Sequence, residues 1–375
     1  MARTTPRWTA SRTAGVAVAV MMALGAMLTT APAQAAPKDR DTVVVMTQNL
    51  YLGSSLTPAL AASTPEGFVA AVAQIYATVQ YTNFPARAEA IADEIQARGP
   101  DVIGLQEVSR WTTGGINPPP GYDFLAILQS ALTARGLSYS VAAVVDNASI
   151  GPAPLALASQ GCVQPGPVIT CSVTLDDRDV ILVNDDTPGL TWSNARSGRY
   201  ADQQVFDSPV GPVAFDRGWA SIDAKLGNKP FRFVNTHLET EDFPLIQEAQ
   251  AAEFLAGPAK GGTVIAVGDF NSAADGSTTT SYAQLTAPGR FRDAWDDATL
   301  GSGFTCCQSS NTPPLAPGAL NNPVSTLRSR IDLVLGRGAA RADSATAVVV
   351  GNTPFRGVPP FWPSDHAGVV AEFRL

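Results

Sequence analysis

The sequence predicts an α+β protein in which two β-sheets pack together and a helical layer covers the outer side of each. Three observations predict it. Many apolar runs have the length of strands, four stretches repeat apolar residues at helical spacing, and strand signals continue on both sides of every Pro/Gly-rich stretch. With 375 residues, 45% of them hydrophobic, the chain can bury one large core; a charged fraction of 15% is too low for a long coiled coil.

Strands are expected at 42–48, 101–106, 139–145, 168–175, 179–183, 219–226, 230–236, 263–268, 331–335, 345–350 and 367–374. Helices are expected at 66–80, 85–98, 123–135 and 244–256, where Ala, Leu, Ile, Glu and Gln recur every three to four residues. Leu226-Gly227-Asn228-Lys229-Pro230 reads as a hairpin turn. The Pro/Gly-rich stretches 113–121, 151–167, 311–323 and 352–363 read as loops within one domain, and no repeat of solenoid or propeller period is visible.

The first 35 residues are expected to be a signal peptide, leaving 36–375 as the folded domain. Arg3, Arg7 and Arg12 form a positive n-region, Val16 to Leu28 an apolar h-region, and Ala33-Gln34-Ala35 a small-residue cleavage site. The apolar run is shorter than the roughly 20 residues that span a bilayer. A secreted protein with no stable membrane span is therefore expected. The net charge is −8. Loss of the three arginines leaves 22 basic against 33 acidic residues, or −11, which excludes a generally basic, polyanion-coating surface but not a local basic cleft.

Four cysteines suit an exported chain as disulfides. Cys162 and Cys171 close a short loop and are expected to be bridged, worth about 2–3 kcal/mol in the chain-entropy model. Adjacent Cys306 and Cys307 could bridge each other, pair elsewhere or stay reduced. Metal binding by these thiols is not expected, because no CxxC pair or nearby His completes a site.

The chemistry stands where apolar strands end. Val43 to Thr47 runs into Gln48-Asn49-Leu50, Val102 to Leu105 into Gln106-Glu107, and Val264 to Gly268 into Asp269-Phe270-Asn271. Carboxylate and amide oxygens held on rigid strand ends are what a hard divalent cation such as Mg²⁺ or Ca²⁺ requires. Singly, each such residue is more often a turn former. The only two histidines, His237 and His366, sit in Asn235-Thr236-His237-Leu238-Glu239 and Ser364-Asp365-His366, beside strands and with acidic neighbours. That placement argues for a paired role in moving protons. Asp332, in Arg330-Ile331-Asp332-Leu333, would either make a surface ion pair or hold an imidazole in one tautomer.

The ordered set QNL (48–50), LQEV (105–108), NTHLE (235–239), GDFN (268–271), RID (330–332) and SDH (364–366) resembles the endonuclease/exonuclease/phosphatase superfamily, over residues 42 to 375. The resemblance implies a DNase I-like, four-layer α/β/β/α sandwich of two mostly antiparallel sheets, and metal-dependent cleavage of phosphoric esters. By the same resemblance Glu107 is a metal ligand with Asn49 beside it through its amide oxygen, and Asp365 completes the metal environment. Asp269 and Asn271 would orient the attacking water and the phosphate. His366, supported by Asp332, would be a general base or phosphate-polarising imidazole, and His237 would donate a hydrogen bond or proton on the opposite side of the phosphorus. Whether Asp269 or His366 takes the proton of water stays open.

In-line hydrolysis needs a positioned water, neutralised non-bridging oxygens and a stabilised leaving oxygen. One Mg²⁺ (or Mn²⁺ or Ca²⁺) with carboxylate ligands and two imidazoles meets those needs. Neither a GxxxxGK[ST] loop nor a GxSxG elbow is present. Arg196, Arg199 and Tyr200 lie in a polar stretch, Ser193 to Tyr200, read as a loop able to grip phosphate. Phe355, Phe361 and Trp362 could contact lipid, stack on a base or pack beneath their own loop. The expected partner is a phosphoester substrate: a phospholipid or small organic phosphate in preference to nucleic acid, with a secreted endonuclease as the runner-up. A monomer is expected. A catalytically inactive binding protein of the same fold is the remaining alternative, and the polar groups at so many strand ends argue against it.

Overall fold

The computed structural model describes residues 1, 2, 4, 41–163, 168–209, 211–295, 300–311, 313–342 and 346–375. The n-region, h-region and cleavage site of the expected signal peptide lie outside the described residues. The principal elements, in chain order, are β1 (Thr42–Asn49), α1 (Pro65–Thr82), α2 (Phe84–Arg98), β2 (Val102–Gln106), β3 (Arg110–Gly115), α3 (Phe124–Ala134), β4 (Tyr139–Pro154), β5 (Cys171–Asn184), β6 (Leu190–Arg199), β7 (Gly218–Leu226), β8 (Lys229–His237), α4 (Pro244–Ala256), β9 (Val264–Asp269), β10 (Asp332–Arg337) and β11 (Gly368–Arg374). Helix boundaries follow local chemistry. Thr64 caps α1 by accepting from the Gly67 amide, with Pro65 in the first turn. Asn83 takes a left-handed conformation between α1 and α2, and Asp123 caps α3.

The strands form the expected two sheets. In the nine-stranded sheet β11, β1, β2 and β5 lie side by side, with β3 and β4 also paired to β5. The six-stranded sheet has β10, β9, β8, β7 and β6 in that order. Most pairs are antiparallel; β1 with β2 and β8 with β9 are parallel. Between the sheets lies one apolar cluster, with Val43, Val45, Ile181 and Val183 meeting Ile222, Phe233, Ile265 and Val267. The outer face of the first sheet packs on α1, α2 and α3 through Met46, Ile103 and Leu105, and that of the second packs on α4 through Val234 and Ala266. The molecule is a four-layer α/β/β/α sandwich. Among the described residues no helix is long and apolar enough to cross a membrane.

Three expectations are corrected. The runs 168–175 and 179–183 are one strand, β5, because the polar residues between them stay in the ladder opposite Ala148 and Ser149. The Pro/Gly-rich stretch from 113 begins inside β3. Residues 193–200 are not a loop: Leu190–Arg199 is an edge strand paired with β7, and its side chains are mostly exposed, so the alternation of a half-buried strand is missing. Cys162 and Cys171 are bridged as expected, and Cys306 is bonded to Cys307.

Candidate active site

Strand direction and register gather the polar ends. Because β1 and β2 run parallel, Asn49 and Glu107 emerge at the same end of the first sheet. In the second sheet β8 and β9 are parallel with His237 opposite Asp269, and antiparallel β10 starts with Asp332 opposite the same Asp269. His366 lies in the turn just before β11, which pairs antiparallel with β1. The two sheets are stapled here. The Asn235 amide donates to Leu105 O at 2.9 Å and Val180 O at 3.1 Å, and its oxygen accepts from Gln106 Nε2 at 2.6 Å. Gly104 leaves the space for it, since a Cβ there would meet Asn235 Oδ1 at 2.7 Å. Glu107, Tyr51 and Asn271, each just past a strand end, have positive φ of 53°, 58° and 50°; sparsely populated backbone of this kind concentrates at functional sites.

Asp269 is the centre of the cluster. Its Oδ2 lies 3.4 Å from His237 Nε2, 3.8 Å from His366 Nε2 and 3.2 Å from the Asn49 amide nitrogen, while Oδ1 accepts from the Asn271 backbone N–H at 3.0 Å. His366 Nδ1 is 2.8 Å from Asp332 Oδ2. Its Nε2 lies 4.0 Å from Asp365 Oδ1. Asn271 Nδ2 is 3.1 Å from His237 Nε2 and donates to Leu238 O. Glu107 accepts from Asn49 Nδ2 at 3.1 Å and from the Leu52 N–H at 2.8 Å.

The two imidazoles are held in different charge states. Burial pulls His366 down, but the Asp332, Asp269 and Asp365 carboxylates outweigh it and hold its pKa well above the ordinary value. Burial, with the Arg217 and His366 charges, holds His237 well below it. Burial pushes the Asp269 carboxyl up to about 7 against the pull of His366, and pushes Asp365 to about 7 in the same way, with Glu107 raising both. Asp365 Oδ1 and Asp332 Oδ1 are buried with no hydrogen-bond partner. Buried carboxylate oxygens left unpartnered call for positive charge beyond that of His366, and a hard divalent cation supplies it. Asp269, Asp332 and His366 can each offer a ligand atom, all within 4.8 Å of one another. Glu107 and Asp365 border the same cluster. Asn49 differs from the expectation: its nitrogen faces the carboxylates while its oxygen accepts from the Tyr51 N–H at 2.8 Å, so as placed it is a positioning group and not an oxygen ligand.

The proposed phosphate grip does not join this cluster. Tyr200 is buried and its hydroxyl pairs with Thr236 Oγ1 at 2.6 Å. Arg199 is tied to Asp216 at 2.5 Å and to Asp146 O. Arg196 points out from the edge strand opposite Ser221, three register steps from the strand end that carries Arg199. Trp362 packs beneath its loop with Tyr51 and Leu320 and donates to Asn322 O, so it is not a rim aromatic.

Two arginines, the buried Arg87 and the partly buried Arg217, escaped the sequence reading. Arg217 Nη1 lies 3.0 Å from His237 Nδ1, and Nη2 lies 3.7 Å from Glu239. Arg87, inside α2, donates to Leu50 O, Tyr51 O, Thr82 O and Pro363 O, tying the loop after Asn49 to the loop before Asp365. For Arg217 the only signal was a cation at the head of the predicted strand 219–226. Arg87 gave none, since arginine is ordinary on a helix. Asp179 was read only as the first residue of a strand and Asp177 as lying between two strands, yet both are buried, with Asp177 bonded to Ser109 and Asn147.

The family model described as the endonuclease/exonuclease/phosphatase family matches residues 46–366. The chain belongs to this family. The endonuclease/exonuclease/phosphatase family is one of phosphoesterases and nucleases, which places the chain in the hydrolase class. No curated protein matches the sequence. The fold is similar to that of an endonuclease/exonuclease/phosphatase family protein from Bacteroides thetaiotaomicron, at 16% identity and TM-score 0.52, covering 88% of this chain and 94% of that one. A mannosyl-6-phosphatase of Bacteroides thetaiotaomicron VPI-5482 is similar at 16% identity and TM-score 0.50, covering 89% of this chain and 100% of that one. A humanized D. rerio TDP2 carrying 14 mutations is similar at 13% identity and TM-score 0.50, covering 89% and 100%. At these identities the likeness shows the fold alone.

Proposed function

We propose that the chain is a secreted hydrolase of phosphoric esters that uses one divalent cation, Mg²⁺ (or Mn²⁺ or Ca²⁺), and in-line attack by water. The observation that carries this reading is the position of the Asp269 carboxylate between two imidazoles of opposite charge state, 3.4 Å from one and 3.8 Å from the other. Glu107 and Asp365, the latter with a buried, unpartnered Oδ1, would hold the cation. When bound, it neutralises charge on the non-bridging oxygens and helps stabilise the leaving oxygen.

The protein groups divide the remaining work. Asp269 takes the proton of the attacking water, because it is the acceptor between the two rings. Its Oδ1 is fixed by the Asn271 N–H, which leaves Oδ2 to face the reacting atoms. His366 is charged through Asp332 and so acts as a hydrogen-bond donor to a phosphate oxygen, not as the base. His237 is neutral. Arg217 Nη1 lies 3.0 Å from its Nδ1 and 3.1 Å from its Nε2, and Asn271 Nδ2 lies 3.1 Å from Nε2; we assign the single ring proton to Nε2, which faces Asp269 Oδ2 at 3.4 Å, so that it serves as a donor on the opposite side. The Arg217 charge behind it favours the negative charge that builds up in the transition state.

A phospholipid or small organic phosphate is the proposed substrate. The net charge of −8 disfavours long polyanions. A cavity of about 590 Å³ has Asn147, Arg199 and Asp216 in its wall, Asn147 being bonded to Asp177. It shares Phe68, Ile150, Ala153 and Val213 with an apolar groove lined also by Val72, Leu175 and Phe215. That continuity suits an ester with a polar head and an apolar remainder.

The test is hydrolysis of sphingomyelin vesicles, an aryl phosphodiester, an aryl phosphomonoester and plasmid DNA, with and without EDTA. Turnover of a non-nucleic ester that stops on chelation and in His366→Ala supports the reading. Cleavage of DNA alone overturns the substrate assignment, and turnover unaffected by chelation overturns the metal. Secretion is checked by the N-terminal sequence of protein from the medium, expected to begin at Ala36.

A further inference from the structure

Cys306 and Cys307 lie against the catalytic imidazole. The segment carrying them is clamped between both halves of the His366–Asp332 pair. Cys306 N and O bond to Ser329, Ala367 N donates to Thr305 O, and the Gln308 N–H donates to Asp365 O at 2.7 Å. Thr305 Oγ1 accepts from the Ile331 and Asp332 amides. The result is that Cys307 Sγ sits 3.8 Å from His366 Nε2, and ligand atoms of Cys306, Cys307 and His366 all fall within 4.8 Å of one another. This corrects the expectation that no His completes a thiol site: sequence separation hid one that the fold supplies.

We propose that this trio is a redox-gated inhibitory site for a thiophilic cation such as Zn²⁺. Ligand softness separates it from the carboxylate site beside it. Thiolate and imidazole select Zn²⁺ and softer ions, whereas Glu107 and Asp365 offer only hard oxygens. A tetrahedral Zn²⁺ with ligands at about 2.0–2.3 Å places them roughly 3.5 Å apart; Cys307 Sγ and His366 Nε2 already stand 3.8 Å apart, and Cys306 Sγ, bonded to Cys307 Sγ in the oxidised chain, separates from it on reduction. Asp269 Oδ2 and Asp365 Oδ1, both within reach of the same Nε2, are available for the fourth position.

In the oxidised chain the two sulfurs are bonded to each other and offer no thiolate. An external dithiol reduces the bond: two electrons and two protons pass to the cysteine pair, the S–S bond breaks, and the reductant closes to its own disulfide. Zn²⁺ then displaces three protons to solvent, two from the thiols and one from His366 Nε2, and takes that nitrogen as its third ligand. That nitrogen can no longer donate to phosphate, so the reduced enzyme is inhibited by Zn²⁺ and the oxidised enzyme is not. The binding step stands independently of the proposed activity; only the inhibition rests on it.

Cd²⁺, titrated into the mature full-length chain, is the probe. The reduced protein is expected to take up one equivalent with an ultraviolet thiolate-to-metal charge-transfer band, and the oxidised protein is not. The band should be absent from reduced Cys306→Ser/Cys307→Ser, which keeps Cys162 and Cys171 as a control for those thiols, and weakened in Cys307→Ala, which guards against misfolding of the double variant. His366→Gln should weaken binding at least tenfold. A band that persists in the double variant, or none in the reduced protein, overturns the site. In the activity arm, one equivalent of Zn²⁺ should lower ester turnover at least tenfold after reduction; bound metal without inhibition overturns the gating while leaving the site.

Discussion

Replacing Asp332 by Asn tests the division of labour among the site residues most directly. Asp332 is fully buried, and its Oδ2 accepts from His366 Nδ1 at 2.8 Å. A hydrogen bond to a charged partner is worth about 1.5–3 kcal/mol net and a neutral one about 0.5–1.5. The isosteric amide therefore costs about 1–2 kcal/mol of imidazolium stabilisation, or roughly 5- to 30-fold in rate at 1.36 kcal/mol per tenfold. The pH profile carries the sharper information. His366 must be charged to act as a donor, so activity declines on the alkaline side as it loses its proton. Asp332 is the leading upward influence on its pKa, and the substitution should move that limb toward lower pH. The assay is kcat for an aryl phosphodiester at saturating Mg²⁺ across the neutral and alkaline range, with circular dichroism to confirm folding. A loss below threefold with an unmoved alkaline limb would refute the reasoning.

Glu107→Gln should raise the Mg²⁺ concentration needed for half-maximal activity tenfold or more, read from metal titrations of rate and of thermal midpoint. Without metal, stability should fall as pH rises from about 4 to 8. Asp269 and Asp365 have folded values near 7, above their unfolded values, so the native state binds more protons through that window. Below about 6.5 His237 opposes them, because the unfolded chain takes up its proton; above it His366 reinforces them, so the decline steepens. Denaturant midpoints measured in EDTA check this, and a rise with pH contradicts the charge assignments. Arg87→Met removes the donor to four backbone carbonyls and should cost about 3 kcal/mol in urea unfolding; a loss under 1 kcal/mol would show that other groups replace it. Gly268 has φ +155° and a Cβ there would collide with the Thr236 carbonyl, so Gly268→Ala should cost about 1–3 kcal/mol and lower kcat by displacing Asp269.

The strands and helices that bury one face were legible because burial writes a period into the sequence. The 42–48, 263–268 and 244–256 expectations agree with β1, β9 and α4 within a residue or so. Edge strand β6 was not legible: with solvent on most of its side chains, nothing forced an alternation. Motif residues at strand ends could be picked out because a carboxylate, amide or imidazole closing an apolar run is costly to place by default. Arg196, Arg199 and Tyr200 carried no such constraint, and composition alone did not show that they stand on and just after an edge strand.

The sequence by itself determined the layer architecture and which polar side chains stand at strand ends, since both follow from local pattern. Only the tertiary structure decided which of them meet. The parallel pairing of β8 with β9 and the start of β10 opposite Asp269 bring His237, Asp269 and Asp332 together. Packing of the second sheet on the first adds Asn49 and Glu107, and the turn before β11 adds His366. Charge state was decided there as well: His366 and His237 are the same side chain, its pKa raised in one by the surrounding carboxylates and lowered in the other by burial and the Arg217 guanidinium.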